Sequence, residues 1–556
     1  MKNIFKTVLK AIAASCAAIV IFATSVPAFG KITPDKPVMN LKGKVSCEGK
    51  GVPGVVVSDG FSVAKTDKDG FYYLASDKKT GYVFLSIPSG YIIKEREGNT
   101  PAFYCKTDRY SPESVERHDF PLIKDDKSDY VLLAMADFHI AGRCNDTESY
   151  KKAVLVDINR TVKEYEAEGK RVCGLTLGDI SWDKFWYKNS FFPDTVKKYI
   201  DMIDCPVFNC MGNHDNNPRI SNDDFKASLV YSKSFGPTYY SFNMGPVHCI
   251  VLDNIFYIND GACADRNGKR NYICKITDSQ LVWMEKDLGT LKNKDTPLII
   301  AMHAPLFKRP SGKNGYEHKY ALQNAEEVVS LLKDYKDVTF LSGHIHTNYN
   351  TLDGNIREHN IAAICATWWW TSKKGNAGNY ICKDGSPAGY DVWEFDTENG
   401  KIKKTCSYYK SVNYARSYQF RTYDLNETYF SEKSPRADEI KDIAGRYFGK
   451  KNSNRVLINV FNYNPDWKIE VWDQGKLLPV KRIEAKDPLH ILSYEMQMIS
   501  HGNDPSKVGR TPKISHMFEV KASSPSSTLR IRVTDDRGNV FEQNMKRPKR
   551  FFTGME

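Results

Sequence analysis

Several absences narrow the field before any motif is read. The 556-residue chain contains no C-x-x-C pair, which removes cysteine zinc sites and redox dithiols from consideration. It contains no G-x-x-x-x-G-K-[ST] loop, so a P-loop nucleotide site is excluded. Past the first thirty residues there is no long apolar run, and mean hydropathy is -0.49 with 26% charged residues. Those values fit a soluble globular protein and not a polytopic membrane protein. The formal charge is +12, but no Lys/Arg run is dense enough to serve nucleic acid, and no specific nucleic-acid binding is expected.

The first thirty residues place Lys2, Lys6 and Lys10 ahead of an apolar stretch that ends in P-A-F-G. This is the layout of a secretory signal peptide, with cleavage after Ala28 or Gly30, and it predicts an exported chain, periplasmic or secreted. Losing three lysines brings the charge from +12 to +9. Cys16 sits too early in the apolar run for a lipobox, which argues against a lipid anchor. The other 12 of the 13 cysteines would meet an environment that permits disulfides. Cys205 with Cys210, Cys263 with Cys274, and Cys382 with Cys406 are local candidates, although spacing alone does not pair them.

Three textures follow one another. Residues 38–123 carry short alternating stretches separated by Gly, Asp and Lys, the rhythm of a small β-sandwich. Within it, K-T-D-K-D-G-F-Y lacks the downstream glutamate of a calcium loop and reads as a hairpin turn. Residues 128–410 alternate buried-type strands with helices, giving an α/β domain: strands near 130–136, 172–177, 206–210, 297–302 and 338–342, and helices near 149–168, 195–203, 278–291 and 322–334. Residues 411–548 return to β-like runs with almost no helical period.

The chemistry gathers at the ends of the α/β strands. Asp137 and His139 follow the first, Asp179 the second, and Asn213, His214 and Asp215 the third; His303 follows the fourth, and His344 and His346 the fifth. Ligands of open α/β sheets bind beyond the carboxyl ends of the strands. Taken singly, each group is an ordinary turn former or helix cap. Their recurrence at five successive ends points to a metal centre, and carboxylate with imidazole but no thiolate suits Mn, Fe, Zn, Ni or Co.

In this order and at these intervals, D-x-H, G-D, G-N-H-D, H and G-H-x-H resemble the calcineurin-like metallophosphoesterase family. The stretch "DGSPAGYDVWEFD", Asp384 to Asp396, resembles an exported bacterial subgroup with β-rich domains on both sides. The resemblance implies a β-sandwich core flanked by helices, four layers in αββα order. It also implies two divalent or trivalent metal ions, one held by Asp137, His139 and His346, the other by Asn213, His303 and His344, with Asp179 bridging. His214 would face the substrate and Asp215 would orient it. Where many relatives read G-D-x-x-D, this chain has G-D-I-S-W-D, which leaves Asp183 without an assigned role.

The expected reaction is hydrolysis of a phosphate ester by a metal-bridging hydroxide, since two cations about 4 Å apart lower the pKa of a shared water and neutralise phosphate oxygens. A phosphodiester is favoured over a monoester. A noncatalytic envelope or glycan-binding protein is the other class, and it would be expected to have lost ligands. For substrate contacts the candidates are Arg143 and Asn145, close behind the first cluster, and Trp369 and Trp370 in "TWWWTS", which would wall a pocket for the leaving group. The β-rich domains are assigned contact with surface polymer or lipid.

Overall fold

The strands and helices read from residue 130 onward fold into two β-sheets laid face to face with helices outside. The computed structural model describes residues 36–96, 98–310, 319–373, 380–505 and 509–555; the expected signal segment and Cys16 lie outside them. One sheet has the order Val207–Cys210, Arg171–Leu177, Tyr130–Met135, Gly389–Glu398, Lys401–Ser411. Its first three strands are parallel and the last two add an antiparallel hairpin. The other runs Tyr240–Met244, Val247–Val251, Leu298–Ala301, Val338–Ser342, Ile356–Asn360, Tyr349–Asp353, with four parallel strands at its centre.

Strands such as Tyr130–Met135 and Val338–Ser342 are buried at every position, which is why they read as unbroken apolar runs and not as alternations. Between the sheets, Phe208 stacks on Phe242 at 3.7 Å, and Cys173 Sγ lies 3.3 Å from Met244 Sδ. Helix Leu155–Ala167 covers the first sheet, its Tyr165 hydroxyl 3.2 Å from that of Tyr408. Helix Asp278–Leu288 covers the second, where Asp287 accepts from Ser241 Oγ and pairs with His248. This is the expected αββα order.

The boundaries moved where local chemistry overrode periodicity. The helix expected from 195 starts at Pro193, whose fixed φ suits a first helical turn. The helix expected from 149 begins at Asp146 and passes through a π-turn, Tyr150–Val154. The 65–72 turn is real, with Asp67 accepting from the amides of Asp69 and Phe71. It is not a hairpin, because the strands it joins, Val63–Lys65 and Phe71–Leu74, belong to different sheets. The C-terminal β-rich region holds two four-stranded sheets and also a helical segment, Pro488 to Ser500, started by Asp487 accepting from His490 N.

All twelve described cysteines are free thiols. Cys205 and Cys210 sit at opposite ends of an extended stretch whose rise of about 3.3 Å per residue carries them beyond disulfide reach. Cys406 pairs in register with Glu394, while Cys382 Sγ faces the carbonyls of Ala363 and Pro387.

One buried ion pair ties the outer helix to the sheet edge: Lys410 Nζ lies 2.8 Å from Asp157 Oδ1, and both side chains are almost fully buried. Tyr390 OH and Asn413 N also donate to Asp157. Arg160, half exposed, also pairs with Asp157, so removing Lys410 takes away the buried one of two cations on a carboxylate in a low-dielectric setting. Lys410→Met should therefore lower unfolding free energy by about 3 kcal/mol, measured by urea denaturation; a change within experimental error would show that Arg160, Tyr390 OH and Asn413 N suffice.

Candidate metal centre

Three of the five strands that end at the site turn their backbones sharply there. Asp137, His139, Asp179, His344 and His346 all have φ between 46° and 70°, a region that non-glycine residues enter at a cost of about 1–3 kcal/mol each. Glycine makes the close approach possible. A Cβ on Gly178 would lie 2.6 Å from His303 Nδ1, and one on Gly212 would lie 2.2 Å from Asp179 N. The G-D and G-N-H-D spacings are thus packing requirements as well as signatures.

Each carboxylate is anchored by one oxygen and presents the other. Asp137 Oδ2 accepts from His344 N at 2.9 Å, and Asp179 Oδ1 from His214 N at 2.7 Å. Asp137 Oδ1 is buried without a hydrogen bond; it lies 3.2 Å from His346 Nε2 and 3.6 Å from His139 Nε2, nitrogens that are themselves 3.0 Å apart. On the other side, His303 Nε2 is 3.1 Å from both Asn213 Oδ1 and His344 Nδ1. Asp179 Oδ2 stands between the groups, 3.3 Å from His303 and 3.6 Å from His139. Leu177 O, an acceptor only, lies 2.7 Å from His303 Nδ1, so that nitrogen carries the proton and Nε2 faces the cluster.

The electrostatics match a set built for cations. Burial pushes His139 down to about 4 and His344 to about 3, keeping both rings neutral. Burial also works against charge on Asp137 and Asp179, but the imidazoles facing them hold both well below the usual carboxylate range. For His303 burial is outweighed by Asp179, which raises the ring to about 9. Buried oxygen and imidazole donors with lone pairs aimed at one another, and one orphaned carboxylate oxygen, fit transition-metal ions. Three overlapping groups have donor atoms close enough to hold an ion: His139, His346 and Cys365; His139, Asp179 and His214; and Asp179, His303 and His344.

The partner expected for His214 is corrected. Asp215 turns back under its own 3₁₀ turn and accepts from Ser181 N and Oγ, Ile180 N and Gly212 N; burial, then Asp179, raise it to about 6. It is Asp183 Oδ1 that lies 2.8 Å from His214 Nδ1, with Arg270 bridging both. Arg270 and Tyr272, whose hydroxyl is 3.3 Å from His344 Nε2, come from a distant β-ribbon and carried no sequence signal.

The substrate candidates divide. Arg143 lies over the rings of Trp182, Phe185 and Trp370. Trp370 stacks on Tyr494. Trp369 is core, fully buried with its indole donating to Phe138 O, and walls no pocket. Asn145 is exposed on the turn before the helix and is not brought to the cluster. The tryptophan that does reach the site is Trp368, 4.4 Å from the His346 ring. Cys365 was also missed; its Sγ is 4.0 Å from His346 Nδ1, and burial raises the thiol well above its ordinary range.

Three family models match in succession: the N terminal of calcineurin-like phosphoesterase at 39–125, the calcineurin-like phosphoesterase itself at 130–348, and its C terminal at 358–541. The chain belongs to the calcineurin-like phosphoesterase family. It is 25% identical over 26% of its length to a Danio rerio "Serine/threonine-protein phosphatase CPPED1". It is 26% identical over 30% of its length to an Arabidopsis thaliana "Probable purple acid phosphatase 20". It spans 42% and 38% of those relatives. Among solved structures, Haemophilus influenzae NAD nucleotidase matches 51% of this chain and 49% of its own at 10% identity, TM-score 0.27. Mycobacterium tuberculosis phosphopantetheinyl hydrolase matches 42% and 90% at 14%, TM-score 0.25.

The two aspartates should separate by experiment. Asp215→Ala strands several buried donors and should cost about 3 kcal/mol of stability. Asp183→Asn keeps the hydrogen-bonding shape and should leave the denaturation midpoint within error. Equal destabilisation would contradict the division drawn here.

Proposed function

We propose that this chain is an exported phosphoesterase that hydrolyses phosphate esters at a two-metal centre and prefers diesters. The observation that carries the reading is the unpartnered Asp137 Oδ1 among facing imidazoles, with Asp179 Oδ2 placed between two groups of donors. Asp137, His139 and His346 would hold one ion, Asn213, His303 and His344 the other, with Asp179 shared. Ions bound there supply Lewis-acid charge for phosphate oxygens and lower the pKa of water.

The chain's own groups do the rest. His214, partly exposed and oriented by Asp183, presents Nε2 3.9 Å from Asp179 Oδ2, where it protonates or hydrogen-bonds the departing oxygen. Arg270 beside Asp183 fixes that pair and adds positive charge toward the phosphate. Arg143 on its aromatic bed gives the second ester arm a cationic rim, which supports a diester. The relatives above are named as phosphatases, so a monoester is the competing substrate on the same donors. Export rests on the first thirty residues, and contact of the flanking β-rich regions with surface polymer or lipid rests on their position outside the catalytic sheets.

Phosphomonoesters, cyclic nucleotides, and sugar and lipid phosphodiesters assayed with Mn, Fe, Zn, Ni and Co should reveal metal-dependent turnover, highest on a diester. His214→Ala should keep its metal and lose turnover by roughly two orders of magnitude or more, whereas Asp179→Asn should lose metal by elemental analysis. Equal metal loss in both variants would sink the assignment of His214 to the substrate.

A further inference from the structure

Among the described residues the two most deeply buried lysines have carboxylate partners: Lys78 pairs with Glu116 and Lys410 with Asp157. Lys383 breaks that pattern. It is half-buried in the turn that leads into Gly389–Glu398, and its ammonium lies 5.2 Å over the Trp368 ring. Among the described residues no hydrogen-bond acceptor or carboxylate lies within bonding distance of it. The adjacent Asp384 is occupied elsewhere, accepting from Asn348 N, Ser386 N and Ser386 Oγ. A cation held away from water without an anion is unfavourable, and such a group is retained where something else supplies the anion.

Its position says what that anion belongs to. Trp368 neighbours both Lys383 and the ring of His346, 5.2 Å from the ammonium and 4.4 Å from the imidazole. The ammonium therefore stands one indole away from the metal-ligating set. Asp137 feels its charge, and Arg309, also half-buried, adds a second positive charge on the same side. Burial pulls Lys383 down to about 8, a sign of poor solvation that a bound anion would relieve.

We propose that Lys383 receives a second anionic group of the substrate, a phosphate or carboxylate carried beyond the scissile ester, with the linking atoms lying along Trp368. This rests on the phosphoesterase reading and narrows it to esters with two negative centres.

The test compares metal-loaded wild type, Lys383→Met and Lys383→Arg on three 4-nitrophenyl phosphodiesters, whose second arm is uncharged, ends in a carboxylate or ends in a phosphate. Lys383→Met should raise KM for an anionic arm by roughly tenfold or more relative to the uncharged arm, and Lys383→Arg should restore most of the difference. Whichever arm responds identifies the anion. The same KM change on all three overturns the proposal. A direct binding arm needs no turnover: calorimetric titration with 3-phosphonopropionate and propylphosphonate should show Lys383→Met weakening the first more by a similar factor, and equal weakening overturns it. Wild type that turns over no ester but keeps the calorimetric difference would overturn the phosphoesterase reading and leave the anion site standing.

Discussion

Two hydrogen bonds organise the site: His344 N to Asp137 Oδ2 and His214 N to Asp179 Oδ1. Each locks a carboxylate from one strand end to the backbone of another, and each leaves the opposite oxygen pointing into the shared space. The first bond also joins the two sheets, because Asp137 follows a strand of one and His344 a strand of the other. Separating the sheets would break the donor set. The α/β core is therefore a positioning device, and its close packing holds the left-handed turns at the strand ends.

The density of like donors is costly in the same way. Three imidazole pairs approach with ring centroids near 5 Å, His139–His346, His139–His214 and His303–His344. Apolar burial would favour replacing them, and a stability-driven sequence would do so. Their persistence together with strained backbone is the physical argument that the arrangement serves a ligand.

How much of this was legible depended on what a residue's place was set by. The strand-end ligand types could be found because a buried parallel strand fixes where its carboxyl end lies, and the motif glycines mark where backbones must pass close. Asp215 misled because adjacency in G-N-H-D looks like adjacency in space, whereas the 3₁₀ turn at Asn213–Asp215 sends its carboxylate beneath the loop. Asp183 stands four residues beyond Asp179, one helical turn start away, and reaches His214 across the loop. The three consecutive tryptophans were opaque for another reason. Period alone cannot say which of Trp368, Trp369 and Trp370 faces inward, and here positive φ at the first two, 48° and 62°, decides it.

The C-terminal region is part of this arrangement and not an appendage. Residues 365–371 and 380–386, which carry Trp368, Trp370 and Lys383, are clasped from that side. Thr367 Oγ1 is 3.0 Å from His490 Nε2, Tyr494 stacks on Trp370, Asn459 donates to Asp384 O, and Arg421 donates to Gly385 O. A Cβ on Gly385 would lie 2.0 Å from the Asp487 carboxylate, so the two surfaces fit with no room for a side chain. The candidate metal-binding donors follow strands of the central sheets, but the wall beside them takes its shape from a different part of the chain. Change in the C-terminal core would alter which ester fits before it altered whether an ester is cleaved. Donor set and wall are thus built from separate parts of the sequence, and the fold fixes the first without fixing the second.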